Sequence, residues 1–206
     1  MSKGELTRQR IVALAAPVFN QQGFAGTALS DLMGATGLEK GGIYRHFESK
    51  QQLAEEAFDY AWKIAMDLRF KAADAIPNAV DRLRQTIRNF SERRTGLVAG
   101  GCPLLNTATD SDDSNPRLRE KARSALHMWL DRLQSMVEEG QRRGEIRQNV
   151  DALKLATWIV STLEGSLMVS RLTRKNDAIE LACQHLEEYL ECEVRAVPIQ
   201  SAAVKS

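Results

Sequence analysis

Lys40, Tyr44, Arg45, His46 and Lys50 lie within one short stretch around a Gly41-Gly42 pair. These are cations, hydrogen-bond donors and an aromatic tip, carried on backbone bare enough to come close to a partner. Such a set suits phosphates and base edges, so the first hypothesis is a nucleic-acid reader. The segments before it must hold it in place. Leu29, Leu32 and Met33 give one apolar face before Gly37, and Leu38, Ile43 and Phe47 give another after it. A glycine joining two short amphipathic segments reads as a helix-turn-helix, because the turn needs a residue that tolerates positive φ.

Whole-chain charge does not advertise this role. The 206 residues carry 28 basic and 27 acidic side chains. Residues 1–50 hold six Lys and Arg against four Asp and Glu, a weak local excess. A small DNA-binding module on a larger, more acidic body needs no more than that. Cys102, Cys183 and Cys192 are odd in number and far apart, which argues against a zinc site or a disulfide framework. The opening MSKGELTRQR is not a signal peptide, and no uninterrupted apolar run is long enough to span a bilayer. A reducing cytoplasm is the expected setting, with no membrane, metal or cofactor.

Apolar periodicity of three and four predicts helices throughout and no strand. The first runs from Glu5 to Gln22, bent but not ended by Pro17, with Gly23 closing it and Phe24 packing back on its stripe. The second is capped by Thr27, and the third covers Lys40 to Phe47. Ser49 caps a long fourth helix to Ala75, with apolar residues on two faces. Asn78 caps a fifth helix to about Thr95, followed by a flexible joint at Gly96–Gly101. Pro103 opens a short sixth, Asn115-Pro116 a long seventh to about Arg143, and Asp151 caps an eighth to Leu172. The last spans Asp177 to about Arg195. The fold expected is all-α: a three-helix head with a helix-turn-helix at residues 1–50, a six-helix body at 51–195, and a disordered tail at 196–206.

Thr27 through Lys50, with Gly37, Tyr44, His46-Phe47 and Lys50 in place, resembles the DNA-binding head of TetR/AcrR-type transcriptional regulators. An amphipathic first helix and a Gly23-Phe24 corner precede it in the matching order. The Gly101-Cys102-Pro103-Leu104 and Leu163-Glu164-Gly165 segments look like those of a frequent body subtype. The resemblance implies a homodimer with a head on each subunit, a ligand cavity in each body, and a double-stranded operator as partner.

Carried over residue by residue, it implies that Thr27 caps its helix and touches phosphate, and that Lys40 opens the reading helix. Tyr44 and His46 would contact phosphates or base edges, and Lys50 would hold a phosphate. Arg45 either contacts DNA or pairs with Glu48 or Asp31. Two positions depart from the family pattern. Glu39 stands where a small hydroxyl cap is usual, and Gly42 where Ser or Thr is frequent. Two glycines weaken a short helix by on the order of 1 kcal/mol each relative to alanine, yet Gly41 and Gly42 let backbone approach a phosphate.

Trp62, Met66, Phe70, Phe90, Leu105, Trp129 and Trp158 are either core residues or walls of a cavity for a small apolar or aromatic effector. Cys102, before a proline at a helix start, is either a thiol sensor or a small buried residue at a tight corner. Glu164, in an apolar helix, needs a partner, which could be ligand, subunit or local network. Small residues among aliphatics in the last two helices suit a four-helix seam between two subunits.

The function expected is a ligand-released repressor, dimeric on a near-palindromic operator. The alternative is a DNA-binding adaptor on the same scaffold that recruits a protein partner and has a filled body. An enzyme would need convergent titratable groups, and the sequence offers neither a nucleophile–base pair nor a phosphate loop.

Overall fold

The computed structural model describes residues 2–92 and 98–196. Among these are nine α-helices and no strand, apart from an isolated antiparallel bridge between Ile146 and Arg195. In chain order they are α1 (Lys3–Gly26), α2 (Leu29–Thr36), α3 (Lys40–Tyr44), α4 (Lys50–Arg69), α5 (Ala79–Glu92), α6 (Pro103–Ser111), α7 (Pro116–Arg142), α8 (Ala152–Thr173) and α9 (Asp177–Tyr189). The expected end of the fifth helix near Thr95, the start of the Gly96–Gly101 joint and the tail beyond Ala196 lie outside the described residues.

Most starts follow local chemistry. Ser49 Oγ accepts the Gln52 N–H, Asn78 Oδ1 the Val80 and Asp81 N–H groups, Asn115 Oδ1 the Leu118 N–H, and Asp151 Oδ1 the Lys154 N–H. Each satisfies amides that a helix start leaves open. Two starts differ from expectation. α1 begins at Lys3 because Ser2 and Glu5 form a reciprocal capping box. α2 is not capped by Thr27: Ala28 takes the cap position, and its N–H donates to the Asp31 carboxylate at 2.8 Å.

α1 keeps helical backbone angles through Pro17, and its one non-helical residue is Gly23, at φ 73° and ψ 172°; one more turn follows to Gly26. α4 ends at Arg69 rather than Ala75. Ala72 adopts φ 61°, a short 3-10 turn covers Ala73–Ala75, and the Asn89 side-chain amide donates to the freed Lys71 carbonyl at 2.8 Å. The last helix passes at Leu190–Val194 into a π turn, closed by the Arg195 N–H on the Leu190 carbonyl.

By contacts the chain forms two compact units. Among the described residues, one comprises 2–69, 92 and 98–129, the other 70–91 and 130–196. In the first, Ile11, Val12, Ala15, Leu32, Ile43, Phe47 and Leu53 make the core around which α1 to α4 pack. Ala16, Ala57, Ala61 and Val98 make a second cluster in the same unit. The second unit buries Leu83, Ile87, Leu133, Ile159, Leu163 and Leu186.

α8 in this unit is long and apolar enough by composition to cross a membrane, a property that the core helix of a soluble protein shares, but Lys154, Glu164 and Arg171 interrupt its apolar run. It buries Glu164 on its inner side. Outward it presents Leu153, Trp158, Met168, Val169 and Leu172 on one face, with Thr157, Ser161 and Gly165 between them.

Candidate nucleic-acid interface

α3 is only five residues long and begins without help. Its cap residue, Glu39, makes no side-chain capping bond, and Gly41 and Gly42 fill its first turn. Its position therefore comes from what it buries. Ile43 and Phe47 are sunk in the core beside Ile11, Leu32 and Leu53. Before α3, Gly37 adopts φ 68° and donates its N–H to the Met33 carbonyl, the left-handed close of α2 that lets α3 turn away.

With Ile43 and Phe47 inward, the opposite face is set. Lys40, Gly41, Tyr44 and Arg45 are exposed, and Gly42 and His46 are half-buried. Arg45 has no ion pair among the described residues, and Asp31 is engaged in capping α2. The space around Gly41 is open: a Cβ built there would meet nothing within 4 Å. At Gly42 a Cβ would lie 3.3 Å from the Leu38 Cβ, so that glycine is partly required by packing. The fold brings donors, an aromatic hydroxyl and bare backbone onto one side of a short helix, which can lie against a polyanion.

Thr27 and Lys50 sit differently from the reading given by sequence. The Thr27 side chain is buried and its hydroxyl donates to the Gly23 carbonyl at 2.6 Å, so it builds the corner. Lys50 Nζ donates to the Phe24 carbonyl at 2.6 Å and lies 4.5 Å above the Phe24 ring. That uses one of its three N–H groups and leaves two.

Arg8 was not among the expected residues. Its guanidinium donates to the His46 carbonyl, pairs with Glu56 through both ends, and lies 4.3 Å above the Phe47 ring. It clamps the exit of α3 between α1 and α4. The available signal was its position one turn before Ile11 and Val12, on the edge of the buried stripe.

The expected ligand residues separate by unit. In the first unit, Trp62, Cys102 and Trp129 are buried around Arg69, which the sequence reading missed. The Arg69 guanidinium lies 4.1 Å from the Trp129 ring and 5.1 Å from that of Trp62, and donates to Cys102 Sγ at 3.1 Å. Trp62 and Trp129 meet edge-on at 6.1 Å. Met66 and Leu105 are half-buried. In the second unit Phe70, Phe90 and Glu164 are buried. Trp158 is not an interior residue: it is 41% exposed on the outer face of α8, edge-on to Tyr189 at 4.7 Å.

Comparison with known proteins agrees with this geometry. Residues 11–57 match the pattern described as bacterial regulatory proteins, tetR family, and residues 79–186 match the tetracyclin repressor-like C-terminal domain. The transcriptional regulator LmrA of Bacillus subtilis is 32% identical over 186 residues, covering 85% of this chain and 91% of LmrA. The transcriptional repressor DhaR of Mycobacterium sp. is 25% identical over 178 residues, covering 84% and 86%. A TetR regulator from Chloroflexus aurantiacus has a similar crystal structure, with TM-score 0.90 and 47% identity, covering 96% of this chain and all of that one. With both halves matched and the helix-turn-helix exposed as described, the chain belongs to the TetR family of DNA-binding transcriptional regulators.

Proposed function

We propose that this chain is a homodimeric, effector-released repressor, with residues 1–50 as the DNA-binding head, 51–195 as the effector-binding and dimerisation body, and the cytoplasm as its compartment. The observation that carries the proposal is the outward face of α3, where Lys40, Gly41, Tyr44 and Arg45 are all exposed above a buried Ile43. In this reading Lys40, Tyr44, Arg45 and His46 meet phosphates or base edges, Gly41 and Gly42 bring backbone to the phosphates, and Lys50 offers its remaining donors. Thr27 serves by fixing the corner. Two such heads on adjacent major grooves would sit about 34–36 Å apart.

The outer face of α8 supports a second copy as partner. Its exposed apolar residues flank Gly165, where a Cβ would meet nothing within 4 Å, so another helix can approach closely there. The effector would be small and apolar or aromatic, with Trp62, Met66, Cys102, Leu105 and Trp129 of the first unit as candidate walls and Phe70, Phe90 and Glu164 of the second unit as separate candidates. Arg69 places a buried cation against two of those aromatics.

A gel shift on the DNA flanking its own gene, repeated with candidate aromatic effectors, tests the reading. A retarded complex at low salt that such a compound releases is the expected result. A folded dimer that leaves that DNA unretarded at low salt refutes it.

A further inference from the structure

In an unbroken helix the N–H of residue 24 bonds to the carbonyl of residue 20. α1 opens at that point, because Gly23 holds φ 73° and ψ 172°, a region available essentially to glycine alone. Both separated groups are then taken up by α6. The Phe24 N–H donates to Asp110 Oδ2 at 2.7 Å, and the Asn20 carbonyl accepts from Asn106 Nδ2 at 2.9 Å. Asn106 and Asp110 lie four apart on one face of α6, so a single helix face offers a donor and an acceptor at the spacing of the opened turn.

The contact is reinforced. Asn106 Nδ2 also reaches Asn20 Oδ1 at 3.1 Å and the Gly100 carbonyl at 2.8 Å, while Asn20 Nδ2 donates to the carbonyls of Ala99 at 3.0 Å and Gly101 at 3.2 Å. No side chain would fit. A Cβ at Gly23 would lie 2.3 Å from Asp110 Oδ1, and one at Gly100 would lie 2.8 Å from the Asn20 carbonyl oxygen. From the other side, the Phe24 carbonyl holds Lys50 Nζ, and Lys50 is the first residue of the helix that follows the reading segment. One residue, Phe24, is thus bound through its N–H to α6 and through its carbonyl to α4.

We propose that Asn106 and Asp110 are positioning residues for DNA reading, which hold α1 in an opened state that has a closed alternative. If α6 withdraws, the Phe24 N–H and the Asn20 carbonyl lose their partners together and can re-pair with each other, closing the helical turn. Gly23 permits this, since glycine adopts helical angles as well as the observed ones. Each buried backbone group keeps one partner in either state, which makes the element two-state rather than merely breakable. Closure would move Phe24 and carry the Lys50 anchor with it, changing how α3 is presented.

The test uses the full-length chain and a duplex selected by the wild-type protein from a randomised pool, so that wild-type binding checks DNA reading separately. Asn106→Ala, Asp110→Ala and Asp110→Asn are compared by the Gly23 13Cα chemical shift and by fluorescence anisotropy on that duplex. In both alanine variants the Gly23 shift should move toward its helical value and affinity should fall at least fivefold. Asp110→Asn, whose amide oxygen can accept the Phe24 N–H, should stay within twofold of wild type with an unchanged Gly23 shift. An unmoved Gly23 shift, or affinity within twofold in both alanine variants, overturns the proposal. So does loss of folding in both, because a turn able to close offers the fold an alternative.

Discussion

Replacing Gly41 by alanine separates what the fold needs from what the DNA needs. The added Cβ meets nothing within 4 Å, and Gly41 is not among the residues at positive φ. Alanine is favoured over glycine in a helix by about 0.8–1.0 kcal/mol. α3 is short and frays at its start, so a gain of roughly half that in unfolding free energy is the reasonable expectation from the same scale. The methyl group, however, stands on the face proposed to meet DNA. If the Gly41 backbone donates to a phosphate, displacing it forfeits a hydrogen bond to a charged group, about 1.5–3 kcal/mol, or roughly ten- to a hundredfold in affinity. Denaturant unfolding and anisotropy titration on the same preparation give both numbers. Gly42→Ala is the control, since its Cβ presses on Leu38 at 3.3 Å and should stabilise less. If Gly41→Ala binds DNA as tightly as the wild type, or more tightly, the close-approach argument is wrong and the glycine is incidental.

Three further outcomes follow from the geometry. Arg8→Met removes the clamp on the His46 carbonyl and the pair with Glu56, whose partners are about one-third exposed; it should cost about 1–2 kcal/mol in unfolding free energy and lower DNA affinity, with Arg8→Lys recovering part of the loss, as read by melts and anisotropy. Gly165→Leu on the outer face of α8 should shift the chain toward monomer in analytical ultracentrifugation while leaving its helical circular dichroism intact; an unchanged dimer would move the subunit seam elsewhere. Burial pushes the Glu187 carboxyl up, but hydrogen bonds and charge from Arg88 and Arg84 outweigh it and hold its pKa below the usual value of 4.5. Its folded value is thus the lower one, so its contribution is present above pH 4.5 and fades as pH falls through the folded pKa; Glu187→Gln should flatten the acid limb of a thermal-melt series between pH 3 and 6.

Local chemistry was legible and long-range chemistry was not. Ser49, Asn78, Asn115 and Asp151 cap helices because a cap is decided within three residues. Ala28 displaced Thr27 because the acceptor came from Asp31, a residue inside the helix, while the Thr27 hydroxyl was drawn back to Gly23. The stop at Arg69 depends on Ala72 at positive φ and on an amide from Asn89, neither of which periodicity records. Trp158 carries the same apolar signal as Trp129, yet one faces out and the other is buried. A stripe reports that a face is covered by something, and cannot distinguish core from partner. The roles of Arg8, Arg69 and Asp110 were not legible because their partners lie 33 to 86 residues away in the chain.

These missed residues alter how the reading segment works. From sequence, Gly41, Gly42 and the missing hydroxyl cap at Glu39 marked a weakened helix. The structure supplies outside support: Ile43 and Phe47 hold it from beneath, and Arg8 grips its exit. Lys50, expected to spend its charge on phosphate, is partly committed to the Phe24 carbonyl, so its position reports on the corner at Gly23. The exposed polar side chains on α3 and at its end are Lys40, Tyr44 and Arg45. Affinity should therefore depend less on ordering α3 than on where the corner places it. A change at Phe24 then reaches DNA without touching any residue that reads it.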